Sequence, residues 1–323
     1  MTIDIENARR FNEEPAIKAV SSKSDIVLVR LADGTGVKAL PIGAIRAFIA
    51  GDVTALKTKD KDSLVAAINE LVGADAAQVK EINALKNIVA NYSGAGVHNS
   101  IYRGKSLGTA LSSAQAAAIH AGTFDDMYIG DYWTINGVTY RIAAFDYYLR
   151  TGDASCTKHH VTLVPDTALN QAQMNTSDVV TGAYVGSAMY KANLATAKNT
   201  ISAAFSPHVL SHRQYLKNAV TNGYESGGAW YDSTVELMTE QNVYGGKIFA
   251  NCVHGTNFAQ QHTIDRSQYP LFALDPTKIA ATGGYWLRDV TASTSFAYVN
   301  RHDLASSSGA ATSYGVRPAF SIS

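Results

Sequence analysis

The chain has very little cysteine: Cys156 and Cys252 are the two in 323 residues. Two thiols could pair, but they do not make a disulfide scaffold for a chain this long, so a hydrophobic core must hold the fold. Net charge is also missing. Lys plus Arg and Asp plus Glu each total 27, which argues against nucleic acid as the main partner, since phosphate binding wants a basic surface. No run reaches the roughly 18 apolar residues of a membrane helix, so no membrane insertion is expected. The opening stretch, Met1 to Arg10, carries no apolar core, so no signal peptide is expected either. Nucleotide fingerprints are absent; the glycines at 227–228 and 245–246 match no phosphate loop. What remains is a folded chain, 46% hydrophobic and 17% charged, long enough for two or more domains.

Taken in order, Ile26–Leu31 reads as a strand, Asp33-Gly34-Thr35-Gly36 as a turn and Val37–Leu40 as the returning strand. A lone hairpin is marginal and wants a partner. Between 57 and 91, Leu64, Ile68, Leu71, Asp75, Gln78, Ile82, Leu85 and Val89 alternate spacings of four and three, the seam of a coiled coil. Asp60 or Asp62 is placed to cap that helix, and Asp75 and Gln78 interrupt the seam in its middle. Val65, Val72 and Val79 widen it, which suits more than two helices. Ile at a with Leu at d, taken alone, favours two strands. An amphipathic helix packed on its own chain is the alternative. Asn91 to Val97 is glycine- and serine-rich and reads as a joint.

Beyond it the pattern mixes helix and strand. Ser112 to His120 predicts a helix stopped by Gly122; Asp131–Ile135 and Val138–Ala143 predict a hairpin turning at Asn136-Gly137; His159–Val164 predicts a strand. Helices are expected at 187–204, at 209–221 ended by Asn222-Gly223, and at 232–243 capped by Asp232 or Ser233, with Glu236 three residues beyond Ser233 as a capping box. Closing strands are expected near 284–288, 296–300 and 315–322. Helices early and short strands late describe an α+β domain.

The last forty residues are the most ordered in pattern. Gly283-Gly284-Tyr285-Trp286-Leu287-Arg288 and Tyr314-Gly315-Val316-Arg317-Pro318-Ala319-Phe320 frame a small-polar insert. From Asp289 to Ser313 there is no Lys, Glu, Gln, Met or Trp, although these types make up 40 of the 323 residues; about three were expected in such a window. Codons ending in a pyrimidine cannot encode those five types. An ordinary Ser/Ala-rich loop pair is the plain alternative. Asp289, Thr291, Ser293 and Ser295 are spaced by two and would share a face of one extended strand. Tyr298, Asn300, His302, Asp303, Ser306, Ser307, Ser308 and Ser313 combine an aromatic anchor with small hydrogen-bonding groups, the vocabulary of antibody-like paratopes. These twelve residues are the candidate ligand-binding set. Arg288 and Arg317 are expected to brace loops, and Tyr285, Trp286 and Phe320 to be core.

Tyr-Trp-Leu-Arg, an insert, then Gly-Val-Arg-Pro-Ala-Phe resembles the C-terminal signature of C-type-lectin-like domains in bacteriophage structural proteins. Some of these are targets of diversity-generating retroelements, and the formylglycine-generating enzymes share the fold. Asp131–Ile135 and Cys156–Val161 extend the resemblance over residues 101–323, and Leu56–Leu71 resembles linkers of phage tail and fibre proteins, which are usually trimers. The resemblance implies a virion-attachment module over 1–55, a trimeric coiled-coil stalk over 56–91, a linker over 92–100 and a lectin-like receptor-binding domain over 101–323. It implies a homotrimer joined to other virion tail or capsid proteins and recognising a bacterial surface receptor, glycan or protein. The virion protein would be made in the host cytoplasm and released by lysis. Many lectin-like domains use calcium and others do without it; no cofactor is expected from the motifs.

Catalysis is not expected. Asp153, Cys156, His159 and His160 fall within eight residues, but adjacent histidines opening a strand point to opposite faces, so a hydrogen-bonded structural cluster is expected rather than a metal site. His208 and His212 lack a His-Glu-x-x-His context and read as capping or surface residues at a helix start. Neither cysteine sits in a motif matching the formylglycine-generating active site, so the resemblance carries the fold and not the reaction. No Gly-x-Ser-x-Gly elbow supports a serine triad. The alternatives are a decoration protein without a receptor, or a lectin-fold enzyme using Cys156 or Cys252.

Overall fold

A computed structural model describes residues 26–30, 37–41, 58–59, 64–91, 94–250, 267–281 and 283–323. The chain divides into two compact units, Met1–Ile88 and Val89–Ser323. In the first, β1 (Ile26–Arg30) and β2 (Val37–Pro41) form the expected antiparallel hairpin, in register from Ile26 opposite Pro41 to Arg30 opposite Val37. Its turn, the candidate caps Asp60 and Asp62, and Cys252 lie outside the described residues.

Helix α1 runs from Leu64 to Asn91, 28 residues, over the predicted heptads. The Lys59 N–H donates to Glu70 Oε1 (2.9 Å), and Ala67 is buried. Its apolar stripe is otherwise bare: Val65, Ile68, Leu71, Val72, Val79, Ile82 and Leu85 are each 48–67% exposed.

The second unit is α+β. Residues read as a joint are docked from Ala95 onward: α2 (Ala95–His98) buries His98, whose Nδ1 lies 2.5 Å from Met127 O. The Asn99 side chain exchanges two hydrogen bonds with the Phe145 backbone. Residues 95–100 of the expected linker thus belong to the folded unit, because these polar groups find fixed partners there; Tyr92 and Ser93 lie outside the described residues.

Two sheets carry the unit. The first has six strands in the order β10-β15-β6-β5-β4-β3, from Val235–Leu237, Pro318–Ile322, Val161–Pro165, Val138–Phe145, Tyr132–Ile135 and Ser106–Gly108. Helix α3 (Ser113–Ala121) accompanies it, with the predicted start and stop: Ser112 and Gln115 form a capping box and Gly122 closes the end in the left-handed region. Strands β4 and β5 turn at Asn136 (φ 51°) and Gly137 (φ 79°), as the Asn-Gly pair predicts. The second sheet has five strands, β13-β12-β11-β14-β7, from Ala305–Gly309, Ser295–Val299, Tyr285–Ala292, Ser313–Val316 and Asn170–Gln173. Its central strands β11 and β12 are covered on both faces. Tyr285, Leu287, Ala297 and Val299 enter the main core. Trp286, Val290, Phe296 and Val316 enter a second core completed by Tyr184, Met189, Leu194 and Leu216.

One predicted helix is a strand instead, and another gives way to strand over its first half. Residues 209–221 hold β8 (His212–Thr221), paired with β9 (Tyr224–Ser233) through a turn at Asn222 (φ 52°) and Gly223 (φ 81°). Cross-strand packing such as Tyr215 against Trp230 (5.5 Å between centroids) outweighs the helical reading. In 232–243, Ser233 Oγ does donate to Glu236 Oε1 (2.7 Å), but across extended backbone. The helix begins later, over Glu240–Tyr244, capped by Thr239 with Asn242 completing the box. The helix expected at 187–204 is a π turn over Met189–Asn193 followed by a helix over Ala195–Phe205.

Candidate binding surface

The two frames lock the end of the chain into the core. Tyr285 to Arg288 and Val316 to Phe320 are all buried. Between Val316 and Pro318 the chain leaves the five-stranded sheet for the six-stranded one. Arg317 sits at that crossing, 1% exposed, donating to Pro165 O (2.7 Å), Ile279 O (3.0 Å) and Lys278 O (2.9 Å), its guanidinium 4.9 Å from the Tyr285 ring centre. One fork-shaped cation thus serves three carbonyls at the crossing, and Ile279 O also accepts from the Tyr285 hydroxyl (3.0 Å). Arg288 is also buried and donates to Gln214 Oε1 (2.8 Å). Both arginines brace, as expected.

The insert is not a loop pair. It supplies the end of β11 and all of β12 and β13. Asp289 and Thr291 are buried, so neither lies on the outer surface of the sheet. Asp289 Oδ2 accepts the Glu240 N–H (2.7 Å) at the start of the Glu240–Tyr244 helix. Burial and the nearby Glu225 charge push its carboxyl up to about 7, against the pull of Lys247. Glu225 is likewise buried; one of its oxygens accepts the Val290 N–H and the other lies 3.8 Å from Lys247 Nζ. Ser293 is exposed in the turn, and Ser295 lies on the returning strand opposite Ala292. The four residues spaced by two therefore do not share one strand face, because a hairpin turn separates them.

The other eight candidates gather on β12, β13 and their connections. Tyr298 stacks on Tyr314 (4.2 Å between centroids, 15° between planes), with the buried Trp286 edge-on beneath both. Asn300 Oδ1 accepts the N–H groups of His302 (2.7 Å) and Leu304 (3.2 Å) and so shapes the tip between β12 and β13. Asp303 is left-handed there (φ 65°). His302 is exposed and accepts from Arg301 Nε (3.1 Å). Ser306 faces Tyr298 across the ladder, Ser307 Oγ meets Thr291 Oγ1 (2.5 Å), Ser308 Oγ donates to Thr312 Oγ1 (3.2 Å) and Ser313 is exposed. Beside the tip, Asp166, Thr167, Ala280, Ala281, Arg301 and Asp303 line an open hollow of about 330 Å³. The sequence reading missed Arg301, Leu304 and Tyr314 as surface residues. Arg301 and Leu304 lay inside the framed window and were open to the same argument; Asp166 stands just past the end of β6 and left no local signal.

The remaining chemistry-bearing residues have structural partners. Asp153 pairs with Arg213, His159 Nδ1 with Asp146 Oδ2 (2.7 Å), and Cys156 Sγ lies near Lys158 O (3.7 Å). His160 is fully buried; its Nε2 accepts the Tyr148 N–H and its Nδ1 donates to Lys158 O, which defines a neutral ring, and burial lowers its pKa. The Cys156 thiol is buried and pushed up by that burial, the reverse of what a thiolate nucleophile needs. His212 stands on β8 rather than at a helix start, packed 4.0 Å from the Tyr148 ring, and burial with the neighbouring His160 holds it down at about 3. Among the described residues no group of three His, Cys, Asp or Glu side chains is arranged to hold a metal ion, and no helix is long and apolar enough to cross a membrane.

Residues 213–323 match a family described as a domain of unknown function, DUF6273. The match covers the β8–β9 hairpin, the frames and the insert. It leaves out β6, the strand against which the C-terminal β15 pairs through Phe320, Ser321 and Ile322. No curated protein and no solved structure matches the chain.

Proposed function

We propose that the protein is a bacteriophage virion component of the tail-fibre or receptor-binding type, recognising the bacterial surface through the β12–β13 region of a C-type-lectin-like domain. The observation that carries this reading is how the insert divides. Its frames from Tyr285 to Arg288 and from Val316 to Phe320, with the inward positions Val290, Phe296, Ala297 and Val299, are buried, while Ser293, Thr294, Arg301, His302, Leu304, Ser307 and Ser313 are exposed. Side chains at the exposed positions can change without disturbing the core, and the sheet fixes where they stand. The bare apolar stripe of α1 supports a homotrimeric coiled-coil stalk, since a single helix leaving that much apolar surface in water gains by pairing. Several tips on one stalk would add weak contacts by avidity. The N-terminal hairpin is the proposed attachment to other virion proteins. An enzyme working through Cys156 is disfavoured by that thiol's burial.

Deep sequencing of the gene across a population of its source tests the reading. Substitutions concentrated between Asp289 and Ser313, sparing the buried Asp289 and Thr291 and the frames, are expected. An insert as invariant as its frames would remove diversification. Normal host adsorption by a Y298A/N300A/H302A variant would remove the receptor role and leave the decoration reading.

A further inference from the structure

Strand β13, Ala305–Gly309, is the outer strand of the five-stranded sheet. It pairs with β12 in unbroken register, Ser295 opposite Gly309 through Val299 opposite Ala305. The bonds flanking this ladder are Asn300 N–H to Leu304 O (2.9 Å) and Ala310 N–H to Thr294 O (3.0 Å). Bonded and non-bonded pairs alternate in an antiparallel ladder. Pairs 300/304, 298/306, 296/308 and 294/310 are therefore the bonded ones, and Ala305, Ser307 and Gly309 turn their N–H and C=O groups away from β12. The Gly309 carbonyl is taken by the Thr312 N–H (3.0 Å). Among the described residues the backbone groups of Ala305 and Ser307, and the Gly309 N–H, have no other partner. Exposed edges are ordinarily blunted by lysine, proline or a bulge. This one carries none of them, no charge, and side chains no larger than serine, with Leu304 62% exposed at its start.

We infer that the open edge of β13 docks an extended polypeptide segment of a protein partner, which adds as a sixth strand. The donor and acceptor pairs recur every second residue, about 6.8 Å apart, the repeat of another extended backbone. Saccharides do not present that alternation. A second copy of β13 fits less well, because small residues would face small residues with little cross-strand contact. A partner strand with larger side chains gains contact over Leu304 and the Ser307–Thr291 pair. Taking this partner to be the bacterial receptor rests on the recognition reading; the edge itself does not.

The test pans a displayed library of random twelve-residue peptides on the full-length protein and measures the best synthetic peptide by fluorescence anisotropy. Ser307→Pro removes an outward N–H without touching the β12 ladder, and Ser307→Ala removes only the hydroxyl. The expected result is affinity within about threefold of wild type for S307A and at least about tenfold weaker for S307P. Hydrogen exchange on the unaltered protein should show peptide-dependent protection at 305–309, which does not depend on either variant folding. Failure to enrich any peptide, equal affinity for S307P, protection elsewhere, or edge protection that grows with protein concentration without peptide overturns the inference. Adsorption of the Y298A/N300A/H302A variant decides the recognition reading separately, so either can fail alone.

Discussion

Replacing Asp289 by Asn should make the C-terminal unit more stable at alkaline pH. The carboxyl is buried and pushed up to about 7 from an ordinary 3.8. A raised folded-state pKa means the native state keeps a proton that the unfolded chain releases, so stability is fully present below about 3.8 and is lost as pH rises through about 7. Three units at about 1.4 kcal/mol each put the loss at about 4 kcal/mol above pH 7. Asparagine keeps an acceptor for the Glu240 N–H and has no proton to lose. The buried His212 works the other way: held at about 3 against an ordinary 6.5, it takes up a proton only on unfolding, so stability falls as pH drops below 6.5. The two slopes oppose each other between about pH 4 and 6.5, so the difference between variant and wild type is the quantity to read. Urea unfolding followed by tryptophan fluorescence suits this, since Trp133, Trp230 and Trp286 all lie in the C-terminal unit. The curves should coincide near pH 4 and separate by up to about 4 kcal/mol by pH 8. A constant difference across pH, or a less stable variant at pH 8, would refute the reasoning.

Two further outcomes follow from other parts of the fold. Arg317→Met takes a donor from the Pro165, Ile279 and Lys278 carbonyls, of which Ile279 O keeps the Tyr285 hydroxyl, and leaves a buried gap in place of the cation; it should cost about 3–5 kcal/mol in urea unfolding; Arg317→Lys should lose about half of that. I68D/L85D places charge on the bare stripe of α1 and should reduce the mass seen by light scattering to one chain of 34.5 kDa, with the near-ultraviolet spectrum of the C-terminal unit unchanged. A wild-type monomer would remove the stalk argument.

What the sequence determined by itself is local. The capping box at Ser112, the Asn136-Gly137 hairpin, the 28-residue helix over the heptads and the buried frames all follow from short-range rules: side-chain caps, left-handed turn residues and hydrophobic period. The bracing arginines were legible for the same reason, since a guanidinium between aromatic residues has few other roles. Tertiary structure decided the rest. His212–Thr221 has a composition that suits helix or strand, and only its partner β9 selects the strand. Asp289 and Thr291 look like polar loop residues, yet the hairpin that holds them lies beneath other elements, so burial removes them from the surface. Ser306, Ser307 and Ser308 are indistinguishable in sequence. Which of their backbone groups face outward depends on the register against β12 and on the edge position of β13, and both come from pairing between segments that one-dimensional patterns do not encode.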